Sequence, residues 1–115
     1  MPPPNDITVA AAEARIGRGD FDGAQRILRA LLLDPGDEEK SEVYWCLSGL
    51  HARQDNYARA LKLAHRCLEH DPDHLQAQRF ATSEDTHARV QREHGRARVG
   101  WFLAAVLAVA YLLLR

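Results

Sequence analysis

The sequence contains few of the residues that mark a secreted or a catalytic domain. Its 115 residues include two cysteines, Cys46 and Cys67, whereas a secreted domain of this size more often carries several disulfides. Glycine-rich phosphate loops, paired Cys-x-x-Cys, His-Glu-x-x-His and a recognisable nucleophile setting are all missing. The composition therefore favours a reducing compartment and a protein that is not an enzyme, with no cofactor and no small-molecule substrate.

Metal ligands are also poorly arranged. Their densest cluster is interrupted by Pro72, which breaks a helix and so removes the i, i+4 geometry that would aim two imidazoles at one ion. We therefore predict no metal site there, only a solvated helix end. The cluster consists of Cys67, His70, Asp71, Asp73 and His74.

Charge is unevenly distributed, although the net charge is only -1. Residues 1–85 carry ten basic and fifteen acidic side chains, while residues 86–98 carry four arginines against Glu93. Because residues 1–85 are net acidic, nucleic acid is not an expected partner. Anionic lipid is an expected partner, because each basic residue near a membrane surface contributes about 1 kcal/mol of binding free energy.

A run without charged residues follows at positions 99–114. As a helix it covers about 24 Å, close to the lower limit for a single membrane span once flanking arginines snorkel. Trp101 and Tyr111 lie near its two ends, where amphipathic rings favour the interfaces. We predict a transmembrane helix over 99–115; the alternative is an apolar helix docked on the protein's own core.

The arginines before this run predict its orientation, because basic flanks stay on the cytoplasmic side. We expect an extended leader at 1–6, a cytoplasmic domain at 7–84, a basic juxtamembrane stalk at 85–98 and a C-terminal anchor. Arginine dominance over lysine favours a bacterial inner membrane. The residues predicted at the membrane interface are Arg89, Arg92, Arg96, Arg98, Trp101 and Tyr111.

Residues 19–35 and 55–72 are similar position by position, with a period of 36 or 37 residues. Phe21 corresponds to Tyr57 and Ala24 to Ala60, and both segments end in Asp-Pro. Apolar residues recur every three or four residues, which predicts one amphipathic helix in each segment. A repeat of this length indicates stacked supersecondary units.

Further helical patterns complete the two units. They occupy residues 7–18, after the cap candidates Asn5 and Asp6, and residues 38–53, with Asp37 as the predicted cap. A capping helix is expected at 74–84, with Asp73 as its cap. The units, at about 5–40 and 41–74, are therefore each helix, turn, helix.

The second unit resembles a tetratricopeptide repeat. The residues that carry the resemblance are Tyr44, Leu47, Ser48, Tyr57, Ala60 and Pro72, and the departures are His51 and Ala64. The first unit is weaker, keeping Ala12, Gly19, Phe21, Ala24 and Pro35. The resemblance implies an all-α fold of helical hairpins, an α-solenoid fragment, here followed by one transmembrane helix.

Tetratricopeptide arrays are in general binding scaffolds whose first helices line a groove. The resemblance carries five groove positions onto this chain, Glu42, Trp45, Gly49, Ala52 and Arg53, with Glu13 and Arg79 as rim charges. Trp and Arg are frequent among residues that dominate binding energy, so Trp45 and Arg53 are the expected centre. The alternative for Trp45 is packing on the capping helix around Arg79, or on the helix at 7–18 around Val9 and Ile16.

Two functions fit these features. One is a membrane-anchored adaptor or assembly factor whose groove captures a protein partner, similar in layout to the tail-anchored mitochondrial fission receptor. The other is a structural accessory subunit built permanently into a larger membrane protein complex. A free Trp45 favours the adaptor, and burial of the span against foreign helices favours the subunit.

Overall fold

A computed structural model describes residues 7–115, apart from the side chains of residues 97–99. The described residues form helices and no strand. The helices are α1 (Val9–Gly17), α2 (Phe21–Leu33), α3 (Lys40–Arg53), α4 (Tyr57–His70), α5 (Leu75–Thr82) and α6 (Glu84–Leu114). The predicted all-α fold is thus confirmed, whereas the leader at 1–6, with Asn5 and Asp6, lies outside the described residues.

The two hairpins share one turn structure. In each turn one amide donates to the carbonyl three residues back, and the next amide donates to the carbonyl five residues back. These donors are Gly19 and Asp20 after α1, and Asp55 and Asn56 after α3, at N···O distances of 2.9–3.1 Å. Gly19 and Asp55 both have positive φ, 80° and 59°. Equivalent backbone bonds 36 residues apart are what a structural repeat requires.

Small residues allow α3 and α4 to approach closely. Ala60 and Ala64 are fully buried, and the Ser48 hydroxyl donates to the Ala60 carbonyl at 2.7 Å. The main core lies between α1, α2 and α3 and consists of Ala12, Ile16, Ala24, Leu28, Leu31, Val43, Cys46, Leu47 and Leu50. Ala24 and Ala60, which correspond in the repeat, are both completely buried.

Two predicted helix caps are wrong. The N-cap of α3 is Glu39, not Asp37, and its side chain makes no cap bond. The N-cap of α5 is His74, not Asp73, because the Asp73 amide donates to the Asp71 carboxylate and the chain needs one more residue to enter the helix. A single extra turn residue is enough to move a cap, and composition does not reveal it.

Helices α5 and α6 cover the end of the second hairpin. Both contact α4, and α6 also contacts α5. The first turns of α6 include the buried Thr86, so the basic segment from 85 onward begins docked on the domain rather than free in solvent. The helix continues through Gly95 without interruption and carries exposed apolar residues from Trp101 onward. The chain is accordingly elongated, 67 × 31 × 24 Å.

Candidate partner-binding site

Trp45 lies on the face of α3 that meets α5. Its ring centroid is 5.4 Å from that of His74 and 6.0 Å from that of Phe80, the latter in an edge-on arrangement. The indole is half-buried, so α5 covers only part of it. Contact on α5 is made through His74 and Phe80, not through Arg79, which is exposed.

His74 organises this face. Its Nδ1 accepts from the Ala77 amide at 3.1 Å, so the neutral ring carries its proton on Nε2. That Nε2–H donates to Oε1 of Glu42 at 3.0 Å. The imidazole is 8% exposed, whereas the Glu42 side chain is 47% exposed. One buried ring therefore caps α5, orients Glu42 and supports Trp45.

Sequence reasoning placed His74 only in a weak metal-ligand cluster. The signal that could have identified its role is its position two residues after Pro72 and three before Ala77, where an N-cap side chain meets a free amide. Among the described residues, no group of three or more His, Cys, Asp or Glu side chains is placed to hold a metal ion.

The surface beyond Trp45 is open along α3. Gly49 is exposed, and a Cβ added there would meet no atom within 4 Å. Ala52 is half-buried and Arg53 is exposed. Arg53 lies about 12 Å along the helix from Trp45. The structure therefore places an aromatic edge, an empty position and a cation in sequence along one helix.

The rim residues are solvent-exposed. Glu13 lies on α1 and Arg79 on α5, and both helices contact α3. The negative charge of Glu13 reaches the Cys46 thiol, whose pKa is raised to about 11, first by burial and then by Glu13 and Glu42. Glu13 and Glu42 therefore both lie near the first half of α3.

The two cysteines are core residues. Burial raises the pKa of Cys46 and of Cys67 to about 11, and neighbouring carboxylates add to the shift. Thiols in this state are neutral at physiological pH and are poor nucleophiles. Cys46 and Cys67 are both free and buried, so they pack as small apolar residues.

Helix α6 is fastened to the start of α4. The Arg89 guanidinium lies 4.8 Å above the Tyr57 ring, donates to its hydroxyl at 3.0 Å and donates to Asp85 at 2.9 Å. The hydrogen bond to Asp85 raises the pKa of Arg89. Oε2 of Glu93 accepts from the Ala58 amide at 2.7 Å and so satisfies a free N–H of the first turn of α4.

A cleft of about 250 Å³ lies between these two helices. It is lined by Asp55, Tyr57, Arg89, Arg92, Glu93 and Arg96. Among the residues predicted at the membrane interface, Arg89, Arg92 and Arg96 thus share one cleft. The Arg98 side chain lies outside the described part, and Trp101 and Tyr111 are 78% and 68% exposed on the apolar part of α6.

A second, larger cleft of about 480 Å³ lies between α3 and the first half of α4. It has three basic residues, Arg59, Lys62 and Arg66, and an apolar wall that includes Leu63. Tyr44 also lines it, with its ring stacked on His70 at 5.5 Å. Sequence reasoning did not assign this cleft a role.

Comparison with protein families matches residues 43–85 to the Fis1 C-terminal tetratricopeptide repeat. The matched segment covers most of α3, all of α4 and α5 and the start of α6, and so includes both Trp45 and His74. Comparisons with curated proteins and with solved structures give no match. The family match therefore shows that residues 43–85 are similar to a tetratricopeptide repeat, and the chain ends in a helix long and apolar enough to cross a membrane.

Proposed function

We propose that this protein is a membrane-anchored adaptor or assembly factor that captures a protein partner on the face of α3 and α5 around Trp45. The observation that carries the proposal is the half-buried indole beside Gly49, where the structure leaves open space. An apolar side chain of the partner would pack against the indole edge over Gly49. Such partly exposed aromatic anchors are frequent among the residues that dominate binding energy.

The charges around this face predict the direction in which a partner segment would bind. Glu42 lies near the start of α3 and Arg53 at its end, about 16 Å apart along the helix. A bound segment would therefore run along α3 with a basic group near Glu42 and an acidic group near Arg53. Glu13 and Arg79 are the proposed rim contacts, with opposite charges on the two flanking helices.

Helix α6 supplies the proposed anchor. An 18-residue window of it has a mean hydropathy of 2.0, and none of that window is buried in the protein. Exposed leucines, valines and aromatics at this density require lipid or another apolar partner. The excess of arginines before the span favours a cytoplasmic repeat domain, and we propose a bacterial inner membrane as the location.

The second candidate is a structural accessory subunit. It is favoured by the alanine-rich span, which includes Gly100 near its start, because small residues let transmembrane helices pack closely. In that case the span, rather than Trp45, would hold the complex together. The two candidates therefore predict different sensitive residues.

The test places a photo-crosslinking amino acid at position 49 of the full-length protein in its membrane, with position 17 as the control. Both positions are exposed helix glycines with no atom within 4 Å of an added Cβ. We expect a specific crosslinked partner from position 49 only, and its loss with Trp45→Ala. A complex that survives Trp45→Ala with unchanged yield contradicts the adaptor and favours the accessory subunit.

A fold control accompanies this experiment. Gly49→Gln adds a Cβ that meets no atom within 4 Å, and it should block the partner while leaving the thermal midpoint unchanged or slightly higher. Gly17→Gln should leave partner capture unchanged. If Gly49→Gln leaves partner capture intact, the proposed contact face is wrong even when Trp45→Ala reduces binding, because that loss would then reflect weakened packing on α5.

A further inference from the structure

The cleft between α4 and α6 lies at a defined height relative to the apolar segment. Glu93, which bonds the Ala58 amide, is six residues before position 99, or about 9 Å along the helix. By the same rise, Arg96 lies about 4.5 Å and Arg92 about 10.5 Å before it. Each headgroup layer of a bilayer is about 5–8 Å thick. If α6 is the anchor, Arg96 lies beside the headgroup layer and Arg92 just outside it, so this cleft opens at the membrane surface.

The cleft residues divide into engaged and unengaged groups. Arg89 is held by Asp85 and Tyr57, and Glu93 is held by the Ala58 amide. Arg92 and Arg96 are exposed, and within the described residues neither forms an ion pair. They are one helical turn apart on the same helix, so their like charges repel. A bound anion between them would relieve this repulsion.

The net charge of the cleft indicates which anion fits. Three arginines oppose the carboxylates of Asp55 and Glu93, which leaves one positive charge. One positive charge matches a phosphodiester monoanion better than a phosphate dianion, which Asp55 and Glu93 would repel. A volume of about 250 Å³ accommodates a small headgroup but not an extended peptide.

We propose that this juxtamembrane cleft binds the phosphodiester headgroup of an anionic phospholipid through Arg92 and Arg96. The guanidinium groups of Arg92 and Arg96 donate hydrogen bonds to the phosphate oxygens, and the positive charge of Arg89 attracts the phosphate without contacting it. Because Glu93 and Arg89 tie the same helix segment to α4, a lipid bound there fixes the repeat domain against the membrane surface. This proposal rests on the proposed membrane anchoring and not on the partner face around Trp45.

The experiment uses the full-length protein in a neutral detergent, offered equimolar phosphatidylglycerol and phosphatidylcholine and examined by native mass spectrometry. We expect preferential retention of phosphatidylglycerol. Arg92→Gln with Arg96→Gln should weaken it about 25-fold, since about 1 kcal/mol per basic residue corresponds to about fivefold each. Arg92→Lys with Arg96→Lys keeps the charge, and its phosphatidylglycerol retention should lie between those of the wild type and the double glutamine variant.

The matched control is Arg59→Gln with Arg66→Gln, which removes two arginines from the more basic cleft on α4. It should leave phosphatidylglycerol retention unchanged. Equal loss in both double variants, or equal retention of the two lipids by the wild-type protein, overturns the proposal. Displacement of the lipid by inorganic phosphate at a similar concentration assigns the cleft to a free anion and also overturns it.

Failure of this site and failure of the anchor give different results. If the wild-type protein is released from membranes by an alkaline wash, the anchoring is wrong, whatever the detergent titration shows. If the protein stays in the membrane and the double glutamine variant binds both lipids as the wild type does, the anchor stands and the headgroup site is wrong.

Discussion

His51 is a buried base in a basic neighbourhood. It is 7% exposed, and its Nδ1 has no hydrogen-bond partner among the described residues. Burial lowers its pKa, and the charges of Arg59 and Arg29 lower it further. The folded protein therefore holds this imidazole neutral at a pH where the unfolded chain already binds a proton.

The sign of the pH dependence follows from that difference. A base with a depressed folded pKa contributes stability that is complete above its ordinary range, near pH 6.5, and that is lost as pH falls through it. We predict that wild-type protein loses more stability than His51→Leu between about pH 7.5 and about pH 5.5. Urea unfolding at the two pH values measures this, and equal losses would contradict the assignment.

Trp45 shows which part of the site the sequence could predict. Repeat position assigned it to the groove, with packing on the capping helix or the first helix as the alternative, and in the structure it is half-buried. Its contacts with His74 and Phe80 could not be predicted, because they depend on where a different helix begins. The one-residue shift of the α5 cap from Asp73 to His74 decides which side chain faces the indole.

At the scale of single helices, apolar periodicity was sufficient for α2 and α4, whose small, fully buried residues recur at the same repeat positions. Cap positions were less predictable. Asp20 caps α2, whereas Asp37, the predicted cap, does not cap α3. Periodicity averages over many residues, while a cap depends on the φ and ψ angles of one.

The start of α2 offers a test in which the usual sign is reversed. The Gly23 amide donates to the Asp20 carboxylate, which also accepts from Arg15 at 2.8 Å. A Cβ at Gly23 would overlap the Asp20 carboxylate and lie 2.8 Å from the Arg15 guanidinium. Gly23→Ala should therefore lower the thermal midpoint by disrupting the cap, although glycine to alanine normally stabilises a helix.

Gly49→Ala is the matched control within α3. With no atom within 4 Å of the new Cβ, it should gain about 0.5–1 kcal/mol from helix propensity alone. Thermal unfolding followed by circular dichroism compares the two variants. A stabilised Gly23→Ala variant would show that the Asp20 cap adjusts freely and contributes little to the start of α2.

At the scale of the whole molecule, α6 belongs to two environments. Its first turns bury Thr86 and bind α4 through Arg89 and Glu93, while its last turns expose almost only apolar residues. The sequence predicted the apolar end from composition and the basic stretch from charge. It gave no sign of the docking, because Arg89 and Glu93 find their partners 32 and 35 residues away in the chain.

This division predicts how the chain behaves when it is shortened. Removing residues 99–115 should yield a soluble helical domain, because the exposed apolar segment is gone while every contact of Thr86, Arg89 and Glu93 is kept. Ending the chain at residue 83 removes those contacts as well. It leaves the Ala58 amide without its carboxylate and uncovers part of α4, so this fragment should be less stable by at least about 1 kcal/mol.

Fractionation and urea unfolding of the two fragments, with the full-length protein as reference, test both parts. The full-length chain should stay in membranes after an alkaline wash, and both fragments should be recovered in the supernatant. If the fragment of residues 1–98 stays with the membrane, a second attachment exists in the repeat domain. If the two fragments unfold at the same urea concentration, the docking of residues 84–93 contributes no stability, and α6 is joined to the domain only by the chain at Ser83.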